Sequence, residues 1–274
     1  MVEPGDRRNV VAYLKEAHQV SITRACKVIG LSKSIYYYQS IKDDTMVICK
    51  LNELVEAKPT RGFPYYYRRI RNEGLTWNHK KVKRVYDSLK LNIRRKHKRR
   101  LPQRSLGALC QPAFANQTWS MDFMHDSLSI GRKVRILNII DDYNREALAV
   151  EADYSHSGHA VVKTIERICH FRGKPNEIRC DNGPEFISHV LIDYCNNNGI
   201  TLKHIQPGKP TQNAYIERFN RSYREDILDA YMFESLAQLK ELSINWMNEY
   251  NQLHPHQSLN NMSPLNYLKI NQHI

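Results

Sequence analysis

Apolar positions in "VVAYLKEAHQVSITRACKVIGLSKSIYYY" (residues 10–38) recur at helical spacing in two pieces. They break at Gly30-Leu31-Ser32 and resume in a third piece that Ser32 can cap. This is the grammar of a helix-turn-helix. Cys26 takes the small-residue position four before the turn glycine, and the last helix offers Lys33 and Tyr36 to Tyr38 outward. A second helical block follows. "YYYRRIRNEG" stops at Gly74, Asn78 caps "HKKVKRVYDSL", and Ile70, Val82, Val85 and Leu89 supply an apolar stripe. "RLPQRSLGALCQPAFANQ" has no period and two prolines, so it reads as a linker.

From Gln117 the pattern changes to strands. "TWSMDFMHDSL", "VRILNIIDDY" and "EALAVEAD" are joined by Gly131 and by Asn144-Arg145, which predicts an antiparallel meander. "GHAVVKTIERICHF" predicts a helix, and "NEIRC" a strand that the helical crossover makes parallel to the sheet. A helix over "FISHVLIDYCNNNG" and a strand at "TLKHI" come next. After "QPGKPT", whose Thr211 can cap, "QNAYIERFNRSYREDIL" predicts a long helix with Ile216, Phe219, Tyr223 and Ile227 inward. The expected segments are helical modules at 1–45 and 46–100, a linker at 101–116, an α/β domain at 117–230 and a helical tail at 231–274.

Charge narrows the partners. Lys and Arg outnumber Asp and Glu by 41 to 28, and a net +13 favours a polyanion, with nucleic acid first. Residues 61–104 carry 16 of those cations against only Glu73 and Asp87, and end in "RRKHKRR"; such imbalance beside aromatics fits phosphate tracking better than a merely solvated face. The six cysteines form no C-x-x-C, which argues against zinc and against a disulfide framework. No long apolar run or apolar leader is visible, so a cytoplasmic protein without a membrane span is expected.

The order β-β-β-α-β-α-β-α is the ribonuclease H-like arrangement, a mixed five-stranded sheet, here preceded by all-α modules. Acids stand at three telling places in it. Asp122 is mid-strand, on the face opposite Trp119, Met121 and Phe123, while Asp181 ends the fourth strand beside it. Glu217 sits on the long helix one position round from Ile216. An isolated Asp-Asn-Gly most simply caps its own turn, so the reading of Asp181 rests on the other two acids. Of the rival acids, Asp126 lies farther along the strand, Asp141 and Asp142 precede a turn where Arg145 can pair with them, and Glu166 falls on a surface position. Glu185 is assigned to the start of the following helix.

Thirty-five residues separate Asp181 from Glu217. With "ITRACKVIGLSKSIYYY", "WSMDF", "VRILNIIDDYNRE", "RCDNGPEF", "QPGKPTQNAYIERFN" and "NEYNQLHPHQSL", the chain resembles the OrfB-type transposases of bacterial frameshifting insertion sequences. These are DDE enzymes with a core like that of retroviral integrases. Two departures stand out: the integrase His/Cys zinc module has no counterpart in the helical blocks, and His254 stands where the family usually has Arg. The resemblance implies that Asp122, Asp181 and Glu217 bind two Mg²⁺ ions, with Mn²⁺ as a substitute. Hard carboxylate oxygens suit such ions, and three converging acids repel one another without them.

It also implies water-driven release of a 3′-OH at each element end and its attack on a target phosphodiester. Expected DNA contacts are Lys33, Tyr36, Arg68, Arg69, Lys80, Lys81, Arg94, Arg95 and Lys96 in the helical half, and Lys209, Gln212, Asn213, Arg218 and Arg221 around the site. Partners would be the terminal inverted repeats, target DNA, further copies of the chain on DNA and the upstream reading-frame product, at the bacterial nucleoid. A nuclease that cuts without joining and a domesticated DNA-binding regulator are the alternatives.

Overall fold

The computed structural model describes residues 4–38, 43–93, 111–206 and 213–271. The chain forms two compact units, Met1–Met46 and Val47–Ile274. In the first, α1 (Pro4–His18), α2 (Ile22–Ile29) and α3 (Lys33–Tyr37) close over Val11, Ala25, Cys26 and Leu31. Gly30 ends α2 in the left-handed region at φ +66°, where a side chain would be strained, and the Ser21 and Ser32 hydroxyls cap α2 and α3. Tyr36 departs from the outward position expected of it. It is half-buried, being the α3 side chain that anchors this one-turn helix to the cluster, and the exposed rings are Tyr37 and Tyr38.

The second unit opens with α4 (Thr45–Ala57), α5 (Phe63–Asn72) and α6 (His79–Ser88), packed around Leu51, Tyr66, Ile70, Val82, Val85 and Tyr86. Asn78 caps α6 through Lys80 N–H, as its sequence position predicts. These helices are tied to the rest of the unit by buried polar bonds. Arg61 Nη2 lies 2.7 Å from Asp226 Oδ2, which also accepts from Trp246 Nε1 at 3.0 Å.

The sheet has the order β3-β2-β1-β4-β5, from β1 (Thr118–Ser127), β2 (Lys133–Asp141), β3 (Ala147–Asp153), β4 (Glu177–Cys180) and β5 (Thr201–His204). β1, β2 and β3 pair antiparallel, while β4 runs parallel to β1 and to β5. This is the ribonuclease H-like topology. Strand alternation sorts the side chains into two cores. Trp119, Met121, Leu137, Ile139 and Ile178 face α7 (Gly158–Arg172) and α8 (His189–Asn197). Met124, Ile136, Ile140 and Val150 face α9 (Ala214–Tyr223) and α10 (Leu236–Leu253), where Ile216, Phe219, Tyr223 and Ile227 are buried as expected. Asp122 shares the parity of Met124, so it points toward α9.

Several local expectations are corrected. The long helix is α-helical only to Tyr223 and continues as a π-helical turn, Arg224–Leu228. α8 begins at His189, not at Phe186, because the Gly183 carbonyl takes the Phe186 and Ile187 N–H groups in a tight turn. Glu185 therefore heads no helix; it pairs with Arg135 of β2. Nor is Arg145 the ion-pair partner of the Asp141-Asp142 pair: Arg172 and Arg179 are, while Arg145 lies over the Tyr215 ring at 3.5 Å. The tail holds a short 3-10 turn (Gln257–Leu259) and α11 (Pro264–Asn271). Among the described residues no helix is long and apolar enough to cross a membrane.

Candidate active site

Register brings the first two acids together. β1 and β4 are paired through Ser120 and Arg179, so extending that register by two residues sets Asp181 beside Asp122 where β4 ends. The Asp181 Oδ1 accepts from Gly183 N–H at 2.9 Å, so the simple turn-capping role is real and engages one of its two oxygens. Glu217 is exposed in the first turn of α9.

Electrostatics ties the three acids into one site. The Asp122 carboxyl is pushed up to about 6, first by burial and then by the charge of Asp181, with Glu217 adding to it. Two donors oppose the rise: Phe123 N–H at 2.9 Å from Oδ1 and Asn220 Nδ2 at 2.7 Å from Oδ2. No cation pairs with Asp122 among the described residues. Nor do any three His, Cys, Asp or Glu among them stand close enough to hold a metal ion as a group.

The sequence reading missed the residues that hold Asp122 in place. Asn138 is its cross-strand neighbour on β2, and Asn138 Nδ2 donates to Asn220 Oδ1 at 2.7 Å, so a buried amide pair leads from β2 through α9 to the Asp122 carboxylate. A signal was present: each asparagine interrupts an otherwise apolar set of positions, in "RILNII" and on the inward face of "YIERFN". A buried amide needs partners, which is why such an interruption is informative.

The rival acids are occupied elsewhere. Asp142 accepts from Ser120 Oγ at 2.9 Å and Arg179 Nη1 at 3.2 Å, and Asp141 from Asn116 N–H at 2.8 Å and Arg172 Nη2 at 3.2 Å. Asp126 faces Arg224 at 3.5 Å, and Glu166 is exposed on α7. Of the expected DNA contacts, Arg218 and Arg221 are exposed on α9, Lys33 on α3 and Lys80 on α6. Arg68, Arg69 and Lys81 are half-buried, with Arg69 3.4 Å from Glu73. Asn213 is only 3% exposed, which takes its side chain off the surface. Arg94, Arg95, Lys96, Lys209 and Gln212 lie outside the described residues.

Integrase core domain models match residues 113–210 and 198–264. The chain is 37% identical over 253 residues to the insertion element IS407 31.7 kDa protein of Burkholderia multivorans, covering 92% of this chain and 91% of that one. It is 24% identical over 240 residues to the transposase InsD of insertion element IS2 of Escherichia coli, covering 83% and 79%. A solved neighbour, the HTLV-2 integrase catalytic core domain in complex with magnesium, is 17% identical with a TM-score of 0.44, over 57% of this chain and 97% of that one. Fold and family define an integrase core of the polynucleotidyl-transferase class. The chain belongs to the OrfB-type transposases of bacterial insertion elements.

Proposed function

We propose that the chain cleaves the ends of an insertion element and joins them to target DNA, with Asp122, Asp181 and Glu217 as the catalytic acids. The observation that carries this reading is the Asp122 carboxyl, driven up to about 6 by burial and by two neighbouring acids, with no cation paired to it among the described residues. A structural acid this buried is normally paired. The donor set suits hard divalent ions, two Mg²⁺ or Mn²⁺, which the three carboxylates would hold. Such ions polarise the phosphoryl oxygens and make the attacking oxygen a better nucleophile.

In the first step a water oxygen attacks phosphorus at the element end, the P–O3′ bond breaks and the 3′ oxygen leaves as a hydroxyl. In the second that 3′ oxygen attacks a target phosphorus and displaces the target's own 3′ oxygen. The Asn138–Asn220 pair keeps the Asp122 carboxylate in one orientation through both steps, and Arg218 and Arg221, with Lys209 and Gln212, face the phosphates. The terminal repeats are gripped by Lys33, Arg68, Arg69, Lys80, Lys81 and the Arg94-Arg95-Lys96 segment, on an assembly of several copies that the upstream reading-frame product joins. The test is a labelled inverted-repeat duplex incubated with Mg²⁺ and each of Asp122→Asn, Asp181→Asn and Glu217→Gln. Binding without cleavage or joining is expected, and full activity in any variant removes that residue from the site.

A further inference from the structure

A cavity of about 460 Å³ lies on the flank of α9, lined by Arg145, Tyr215, Arg218, Phe219, Tyr250 and His256 among others, and within the range of ligand pockets. Its chemistry is unbalanced. Arg145, at the turn between β2 and β3, is 6% exposed, and its buried Nη1 has no hydrogen-bond partner among the described residues. Nor, among those residues, has the buried His256 Nε2. A guanidinium cannot shed its charge, so a buried one is normally paired with an anion. Here it is supported by the Tyr215 ring at 3.5 Å and senses Asp142 only at a distance, that acid being hydrogen-bonded to Ser120 and Arg179. Arg218 adds a second cation at the mouth. Burial, Arg145 and Arg218 together push the His256 imidazole down to about 3, so it is a neutral group that can donate.

Resting on the reading of the chain as a DNA strand transferase, we propose that this cavity seats a phosphate of the DNA strand, held by Arg145 Nη1, His256 Nε2 and Arg218 on the side of α9 next to Glu217. The planar guanidinium fork matches phosphate oxygens, and the cavity shares a helix with the acid at the reacting phosphorus. Its occupant would set the path of the strand along that helix. Tyr215 stacks on the Arg145 guanidinium.

The test is a salt titration of duplex binding by the full chain without divalent metal, so that binding is read apart from catalysis. Arg145→Met is expected to weaken binding several-fold and to reduce the slope of log K against log salt by about 0.9, the loss of one phosphate contact. Arg145→Lys should keep most of the slope. The DNA-free Tm of Arg145→Met should be unchanged or raised, since an unpaired buried charge is removed. An unchanged slope overturns the proposal, as does a lowered Tm with normal DNA binding, which would make the arginine structural. Inorganic phosphate that raises the Tm of the parent chain, with no slope change in the variant, assigns the cavity to a small phosphate compound and overturns the DNA assignment. If Arg145→Met does not fold, Arg218→Gln carries the same slope prediction. A parent chain that cleaves and joins no DNA with Mg²⁺, while Arg145→Met still shows the reduced slope, would sink the proposed catalysis and leave the cavity assignment standing.

Discussion

Two groups of acids occupy the same small sheet, and they are treated in opposite ways. At the start of β1, Asp141 and Asp142 are fully buried, and each takes an arginine and a second donor. Beside the end of β4, Asp122 and Asp181 receive only neutral donors among the described residues. The first group is internally neutralised and stiffens the junction of β1, β2 and β4. The second leaves negative charge uncompensated in a partly buried place, which a fold tolerates where something charged is to be bound. Burial alone does not separate them, since the Asp142 carboxyl is also pushed up to about 6; the presence of a cation partner does.

The comparison is broken most severely by the conservative variants. Asp122→Asn, Asp181→Asn and Glu217→Gln each remove one negative charge and almost no volume, and a loss of strand cleavage on the order of 10³-fold or more is expected in a gel assay. Asp142→Ala should do the reverse: cleavage persists while the chain loses about 1–3 kcal/mol in urea unfolding, because Ser120 Oγ loses its acceptor and Arg179 keeps Glu177 but loses its buried carboxylate. A folded but inactive Asp142→Ala protein would erase the distinction between the groups.

Asn220→Ala sharpens it further. Removing the donor to Asp122 Oδ2 also frees Asn138 Nδ2, and a cleavage rate lower by about 10–100-fold, with DNA affinity unchanged, is the expected outcome. Normal kinetics would reduce the amide pair to packing.

The smallest effect concerns pH. In the folded chain the Asp122 proton is held more tightly than at the ordinary value of 3.8, so ionising it between about pH 4 and pH 6 lowers stability. Asp122→Asn lacks that ionisation. Without divalent metal, its stability relative to the parent should therefore climb by up to about 3 kcal/mol across this window and level off above it, on top of a pH-independent offset for the changed hydrogen bonds. Asp142 titrates in both proteins and cancels in the difference. Urea melts at several pH values measure it, and a gap that is flat from pH 4 to 7 would remove the coupling between the acids.

Much of the protein follows from local chemistry and is legible along the chain. The helix caps at Ser32 and Asn78, the turn at Gly30, the three-strand meander and the inward face of α9 each depend on neighbouring residues, so spacing and residue type suffice. The nearness of Asp122 and Asp181 was legible too, because the pairing of β1 with β4 follows from the order of the elements. Partnership over distance was not. Spacing favoured Arg145 as the partner of Asp141 and Asp142, yet the three-dimensional packing delivers Arg172 and Arg179 to them and sets Arg145 on Tyr215. Likewise Glu185, an apt helix-start acid by position, is claimed by Arg135 from another strand. The Asn138–Asn220–Asp122 chain joins residues far apart in sequence through single hydrogen bonds. Periodicity records which face a side chain is on; only the folded chain decides which donor arrives opposite it, because a buried polar group is satisfied by whatever the tertiary fold brings within about 3 Å.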